Sequence, residues 1–253
     1  MDGTPSITLV GFGSGNGLQL TLDGQKALAR ARKVYTVAPT AAVRSLLKSL
    51  RVQDEDLSER FAEGRSFSDC YLEIADLLLR RAAEEPPIAF LTPGSPLFLN
   101  SLNRFLVMHA RDRGLRVEVV PGVSQLDAII SELGIDVSTF GLQVFDATRL
   151  VQRAQRINPE VPAILLQIGG FGLVTVNGAV AERAAEAYLP LVRHLAGFYR
   201  PEFRATLIGL GAGGAPSSRI TRPLAAFPEL VPHVTAYSHL FLDAVRPGPG
   251  GEP

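Results

Sequence analysis

Ile88-Ala89-Phe90-Leu91-Thr92 runs directly into Pro93-Gly94-Ser95-Pro96, and the reading of this stretch decides the fold. Five uncharged residues read as a buried strand, and the four that follow carry almost no side-chain bulk. Proline fixes φ and lacks an N–H, while glycine accepts angles that other residues avoid. Such a turn at the carboxyl end of a strand lets backbone groups approach a small ligand, where open α/β sheets bind theirs. Taken alone, an ordinary strand-to-helix turn is the simpler reading. Two other segments shift the balance: Gly11-Phe12-Gly13-Ser14-Gly15 upstream and Pro121-Gly122-Val123-Ser124 downstream, each following its own apolar run.

Working outward, the chain alternates such runs with helical patterns. Ile7–Phe12, Val34–Val37, Ile88–Thr92 and Arg116–Val120 read as strands. Between them, helices are predicted over Leu22–Arg32 (Leu22, Leu28 and Ala29 inward), Ala41–Leu50, Phe67–Ala83, Phe98–Arg113 and Gln125–Leu133. The third of these is the strongest, with Tyr71, Ile74, Ala75 and Leu78 at i, i+3, i+4, i+7. The polar run from Val52 to Gly64 reads as an exposed connection. Alternating strands and helices predict a mostly parallel sheet with right-handed crossovers.

The second half reads differently. Strands are expected at Gln143–Asp146, Ala163–Ile168, Ala205–Leu210, Ser218–Arg222 and Val234–Leu242, with an irregular stretch over Ala147–Pro162 and a helix from Ala179 to about Leu195. Short strands separated by Gly/Pro turns predict a mixed sheet. The expected architecture is therefore α/β and two-lobed: an N-terminal lobe over 1–137, a C-terminal lobe over 138–245, a cleft between them, and a disordered Pro/Gly-rich tail over 246–253.

Composition narrows the function classes. The 253 residues are 46% hydrophobic, enough for a sizeable core, and Lys+Arg 25 against Asp+Glu 25 leaves no net charge to attract nucleic acid. The single cysteine, Cys70, cannot form an internal disulfide, and four scattered histidines offer no metal-ligand spacing. The start resembles no signal peptide and no run reaches membrane-spanning length, so a cytoplasmic protein with no membrane partner is expected.

Neither glycine cluster makes a dinucleotide fingerprint. Glycines at 11, 13, 15 and 17 miss the G-x-G-x-x-G spacing at Asn16, and the second strand ends in Thr36-Val37-Ala38-Pro39, without the acidic residue that would hold a ribose. Gly209-Leu210-Gly211-Ala212-Gly213-Gly214 has the spacing but leads into a strand-like run, so a hairpin loop is expected.

With its three glycine/proline loops, the chain resembles the tetrapyrrole methylase superfamily of class III S-adenosylmethionine-dependent methyltransferases. The resemblance rests on Ile7-Thr8-Leu9-Val10-Gly11-Phe12-Gly13-Ser14-Gly15, Ala29-Arg30-Ala31-Arg32-Lys33-Val34-Tyr35, Gly94-Ser95-Pro96 and Val120-Pro121-Gly122-Val123-Ser124. The middle of the chain is similar to the borosin peptide backbone N-methyltransferases through Tyr71-Leu72-Glu73-Ile74, Glu132-Leu133-Gly134-Ile135-Asp136, Val144-Phe145-Asp146-Ala147-Thr148 and Leu165-Leu166-Gln167-Ile168-Gly169-Gly170-Phe171-Gly172. It also looks like the methylase domains that precede MazG-type pyrophosphatases, through Ser66-Phe67-Ser68-Asp69.

That resemblance implies S-adenosylmethionine as methyl donor, a homodimer, and a peptide N-methylated in trans, because the tail holds no apolar core to methylate. Methylation of a small natural product or macrocycle, and a donor-binding subunit without turnover, remain as alternatives. By analogy Thr92, Pro93, Gly94, Ser95, Leu97, Phe98, Ser124 and Gln125 form one wall of the donor site, and Gln167, Ile168, Gly169, Ser238 and His239 the other. On the acceptor side, where borosin enzymes use several tyrosines and an arginine, this chain has Phe61, Phe67, Tyr71 and Pro93. Tyr71 is the acid/base or hydrogen-bonding candidate, equally readable as a half-buried helix residue. Arg65 could hold an anionic group, and Asp146, at a strand end, could touch ligand. His239 reads equally as packed, and Arg149, Arg153 and Arg156 read as a solvated face or as a dock for an acidic partner peptide.

Overall fold

In a computed structural model the chain is described over residues 4–14, 19–176, 183–211 and 215–245. It divides into two compact units, the first comprising Met1–Ile129 with Val174–Asn177 and Ala212–Ala215, the second the remainder. The division falls inside a helix, at Ile129/Ile130. The expected tail, Gly15 of the first glycine cluster and residues 212–214 of the second lie outside the described residues.

The first unit is built on five parallel strands: β1 (Ile7–Gly11), β2 (Lys33–Thr36), β3 (Asp54–Asp56), β4 (Ile88–Thr92) and β5 (Val117–Val120), in the order β3-β2-β4-β1-β5. Helices α1 (Leu22–Arg30), α2 (Ala41–Ser49), α3 (Phe67–Glu84) and α4 (Ser101–Asp112) alternate with them, and α5 (Gln125–Leu133) follows β5. Side chains alternate across each strand. Val10, Val34, Ala89 and Leu91 therefore pack on Ala27, Leu28, Val43 and Leu47 of α1 and α2. Ile7, Leu9, Tyr35, Ile88 and Phe90 pack instead on Ile74, Ala75, Leu78, Leu102 and Leu106 of α3 and α4. Each Val, Leu, Ile or Phe among them contributes roughly 1.5–3 kcal/mol by leaving water.

Local chemistry sets the helix starts. The hydroxyls of Thr21, Thr40 and Ser66 accept from the backbone N–H groups of Gly24, Val43 and Asp69, and Asn100 Oδ1 accepts from Asn103 N. These caps satisfy donors that a helix leaves open.

Three expectations for this unit are corrected. Leu22 is 74% exposed and Ala29 also faces outward, because the register set by the Thr21 cap turns Gly24, Ala27 and Leu28 to the sheet. Residues 52–64 contain an edge strand and a 3₁₀ turn (Ser58–Arg60), not only a connection. The acidic strand β3 is tolerated at the edge because Lys33 pairs with Glu55 (2.7 Å) and Arg44 with Asp56 (2.6 Å). Finally, α4 starts at Ser101, not Phe98, since Phe98 N bonds Ser95 O in a turn and Leu99 takes a left-handed φ of +53°.

A short antiparallel ribbon completes the unit. Gly64 N donates to Val176 O (2.8 Å), Val176 N to Arg65 O (2.8 Å) and Phe67 N to Val174 O (3.1 Å), with Ser66 opposite Thr175.

The second unit carries a mixed sheet of β6 (Gln143–Asp146), β7 (Ala163–Leu166), β8 (Arg204–Gly209), β9 (Ser218–Pro223) and β10 (Ser238–Leu242), in the order β6-β7-β10-β8-β9. Only β6 and β7 run parallel. Leu165, Leu207 and Leu240 stand side by side on it and pack on Leu150, Tyr188, Leu191, Leu195, Phe227 and Leu230. The stretch after β6 is not all irregular: Asp146 caps α6 (Ala147–Gln152). Of the long helix expected from Ala179, residues 179–182 lie outside the described set. The rest is a 3₁₀ turn, Ala185–Tyr188, leading into α7 (Leu189–Ala196). Pro228 and Pro232 lie in an unforeseen 3₁₀ stretch over Leu224–His233, and the last strand begins at Ser238 because Val234–Tyr237 turn.

Candidate active site

In the first sheet, β1 connects towards β2 on one side, while its neighbour β4 connects towards β5 on the other. This reversal is the switch point at which open α/β sheets leave a crevice beyond the strand ends. The register places Gly11 beside Thr92 and Val10 beside Val120, so three bends leave the sheet at one edge.

Those bends meet through glycine. A Cβ on Gly11 would lie 2.3 Å from the Gly94 carbonyl oxygen and 2.9 Å from Gly122 N. On Gly122 it would lie 2.6 Å from the Gly11 oxygen and 2.7 Å from that of Gly94. No side chain fits at either position. Gly94 needs glycine for another reason: its φ is +69°, and a Cβ there would meet nothing within 4 Å. Thus Gly94 faces open space, with Gly11 and Gly122 closing the back of its turn. Pro93 and Leu97 on the same turn are exposed, while Ser95 and Phe98 are half-buried. Ser124 is occupied in capping α5: its Oγ donates to Asp127 Oδ2 (2.6 Å) and accepts from Asp127 N (3.2 Å). Gln125 opens that helix.

Beside the turn is a hollow of about 180 Å³ lined by Val37, Phe61, Tyr71, Phe90, Thr92, Pro93 and residues 99–102. Tyr71 sits edge-on to Phe61 (5.9 Å between ring centres) and stacks on Phe67 (6.1 Å). Tyr71, Phe61 and Pro93 therefore share one hollow, and Phe67 lies against the Tyr71 ring. Burial pushes the Tyr71 phenol above its usual value, so it stays protonated at neutral pH and keeps a proton to offer. Arg65 is already paired: its guanidinium binds Glu73 (2.8 Å) and the Arg60 carbonyl oxygen (3.2 Å). Arg60 holds the other oxygen of the same carboxylate. These arginines hold Glu73 below the usual carboxylate range. A larger hollow of about 580 Å³ opens at the strand starts, lined by Thr8, Ile88, Arg116 and Val117 among others, and contains none of the residues proposed from sequence for the donor or acceptor site.

In the second unit, Gln167, Ile168, Gly169, Ser238 and His239 come together. Gln167 has a left-handed φ of +61° and its N–H donates to His239 Nδ1 (3.3 Å), while Ile168 N donates to Ser238 O (3.0 Å). A Cβ on Gly169 would lie 2.1 Å from the Thr235 oxygen. Burial lowers the His239 pKa to about 4, so the ring is neutral. Because Nδ1 accepts, Nε2 carries the proton, and it has no hydrogen-bond partner. Asp146 lies beside Leu166 in the register, with one carboxylate oxygen accepting from Arg149 N (2.8 Å). Among the described residues no group of three His, Cys, Asp or Glu could hold a metal, and no helix is long and apolar enough to cross a membrane.

Sequence reasoning missed Asn103 and Thr235. An asparagine on the inner face of an apolar helix pattern was the available signal for the first, and the second left none.

Glycine-lined bends at a switch point, backed by α/β packing, define a small-ligand-binding enzyme fold. The chain belongs to the family described as Tetrapyrrole (Corrin/Porphyrin) Methylases, whose sequence pattern matches residues 6–190. This is a family of methyltransferases that use S-adenosylmethionine. A type III borosin cyclic peptide precursor methyltransferase of Anomoporia bombycina is 28% identical over 168 residues, 66% of this chain and 19% of that protein. The dendrothelin A precursor methyltransferase of Dendrothele bispora is 28% identical over 173 residues, 68% of this chain and 41% of its own. The chain thus spans less than half the length of these curated relatives. Uroporphyrin-III C-methyltransferase from Thermus thermophilus, solved with S-adenosyl homocysteine, aligns with a TM-score of 0.63 at 20% identity, covering 94% of this chain and 91% of that one. Its likeness is one of fold.

Proposed function

We propose that this protein transfers a methyl group from S-adenosylmethionine to a backbone nitrogen of a peptide supplied as a separate molecule. The observation that carries the reading is the turn at Gly94, which opens to empty space at the switch point and adjoins the hollow of Tyr71. The Thr92–Phe98 turn with Ser124 and Gln125 are the first unit's candidates for donor contact. Gln167, Ile168, Gly169, Ser238 and His239 are those of the second. The sulfonium supplies an electrophilic methyl, and transfer from it is an in-line displacement governed by positioning and exclusion of water.

The acceptor nitrogen must release a proton as it gains the methyl, and charge accumulates on the adjoining carbonyl oxygen. The Tyr71 hydroxyl is suited to stabilise that oxygen, since its raised pKa keeps it a donor. Arg65, tied to Glu73 through Nη1, holds the run before α3, and Asp146 caps a helix through one carboxylate oxygen; a direct role for either falls to the remaining N–H groups and the second oxygen. The apolar Phe61, Phe67 and Pro93 around a single tyrosine favour a second reading, in which the acceptor is a small apolar molecule with a readier nucleophile. A homodimer and a cytoplasmic location accompany the first reading as proposals.

The deciding experiment has two arms. Calorimetric titration with S-adenosylhomocysteine tests the donor site, and folded protein that releases no heat overturns it. Mass spectrometry of apolar peptides incubated with S-adenosylmethionine looks for a 14 Da gain located on a backbone amide. Methylation of small molecules only, with every peptide unchanged, establishes the second reading.

A further inference from the structure

Asn103 is fully enclosed on α4. Its Nδ2 donates to Thr92 Oγ1 (3.1 Å) and to the Pro96 carbonyl oxygen (2.8 Å), and its Oδ1 has no hydrogen-bond partner. The Pro96 carbonyl fixes the amide's orientation, since a carbonyl only accepts and must face the NH2 end. One Nδ2 proton then goes to Pro96 and the other to Thr92. Because Thr92 Oγ1 accepts that bond, its own proton remains for another acceptor. Thr92 and Tyr71 line the same hollow, and Tyr71 also presents a hydroxyl proton at neutral pH. The remaining walls are largely apolar, and would leave a charged ligand group without solvation.

We propose that Asn103 is a positioning residue that holds the Thr92–Pro96 turn and commits the Thr92 hydroxyl to donate, beside Tyr71, to an uncharged ligand oxygen such as an amide carbonyl. The assignment rests on reading the hollow as the acceptor site and the turn as part of the donor site. The geometry suits this role. Asn100, Ser101 and Leu102, which precede Asn103 on the chain, line the hollow, while the Asn103 side chain reaches the turn. One amide thereby sets the spacing between the two.

Three measurements test it. Hydrogen exchange of the Asn103 side-chain amide, followed by NMR, needs no ligand: slow exchange in the wild type with a faster proton in Thr92→Val supports the hydrogen-bond geometry, and fast exchange in the wild type overturns it. With S-adenosylhomocysteine, Asn103→Leu should bind about tenfold more weakly or worse while still melting cooperatively. The double variant Thr92→Val/Asn103→Leu should be no weaker than Asn103→Leu alone; additive losses overturn action through Thr92. Third, N-acetylvaline amide should shift the Thr92 and Tyr71 resonances more than N-acetylvaline free acid does, and the reverse order, or no shift by either, overturns the ligand class. A wild type that binds no S-adenosylhomocysteine overturns the donor-site reading, and the exchange experiment then decides Asn103 on its own.

Discussion

Gly13 and Gly94 exchange two backbone hydrogen bonds, Gly13 N to Gly94 O (3.2 Å) and Gly94 N to Gly13 O (2.9 Å). With Phe12 N bonded to Thr92 O (3.0 Å), the loops that leave β1 and β4 are tied beyond the last strand residues by an antiparallel bridge that replaces the parallel pairing of the strands. The candidate donor turn is therefore held against the loop after β1 by backbone hydrogen bonds of its own. Its open side belongs to Gly94 alone among the three close glycines.

That difference separates strain from occupancy. Gly94→Val confounds the two, since a β-branched residue at φ +69° costs roughly 1–2 kcal/mol or more. Asparagine tolerates this backbone region. Gly94→Asn should fold with a melting temperature near wild type and yet lose S-adenosylhomocysteine affinity by at least about tenfold. Wild-type affinity in Gly94→Asn argues that the space beside this turn is not the donor's.

At Gly122 the order is reversed. A methyl there meets two carbonyl oxygens at 2.6 and 2.7 Å, neither of which can move without its strand. Gly122→Ala should destabilise the protein by roughly 1–3 kcal/mol, read from denaturant titration, before any ligand is added. A variant as stable as wild type would mean that the three bends do not approach so closely.

Tyr71→Phe leaves the ring edge-on to Phe61 and stacked on Phe67 and removes only the hydroxyl. Donor affinity should hold, while turnover falls roughly 10²-fold or more. Because burial raises the phenol's pKa, ionisation of Tyr71 should not limit activity at or below pH 10. Ultraviolet difference titration of wild type against Tyr71→Phe reads this directly; a phenolate forming below pH 9 contradicts it.

His239 links acid stability to the second unit. Its folded pKa of about 4 lies below the unfolded value of about 6.5, so the unfolded chain binds the extra proton first. Stability from this residue is present in full above about pH 6.5, declines as pH falls towards 4 and is level below that. The shift corresponds to roughly 3 kcal/mol over the window. His239→Gln should flatten the fall in denaturant midpoint between pH 7 and 4.5; an unchanged slope shows that other groups set it.

Much of this architecture was legible because it rests on local chemistry. The strands Ile88–Thr92 and Gln143–Asp146 fall where apolar runs meet turn residues, with bounds as expected. The strand β3 escaped notice because an edge position exchanges burial for ion pairing, and Asp54-Glu55-Asp56 reads as solvent-facing sequence. The inward face of α1 was mistaken because a glycine, Gly24, occupies the place against Leu20 and Val10 where a large apolar residue was sought. The close approach of the three bends was legible. Asn103 was not, since a buried amide acquires meaning only when folding supplies Thr92 and Pro96 as its partners.

The ribbon joining residues 64–67 to 174–176 has a consequence for how the protein is made. The run that carries Arg65, Ser66 and Phe67 into α3 finds its pairing strand about a hundred residues later, beyond β7. A nascent chain can assemble the five parallel strands while that partner is still inside the ribosome, but the leading turn of α3 waits for it. A fragment ended at residue 137 would leave the backbone groups of Gly64, Arg65 and Phe67 to water, and the aromatic cluster around Tyr71 would lose its brace first.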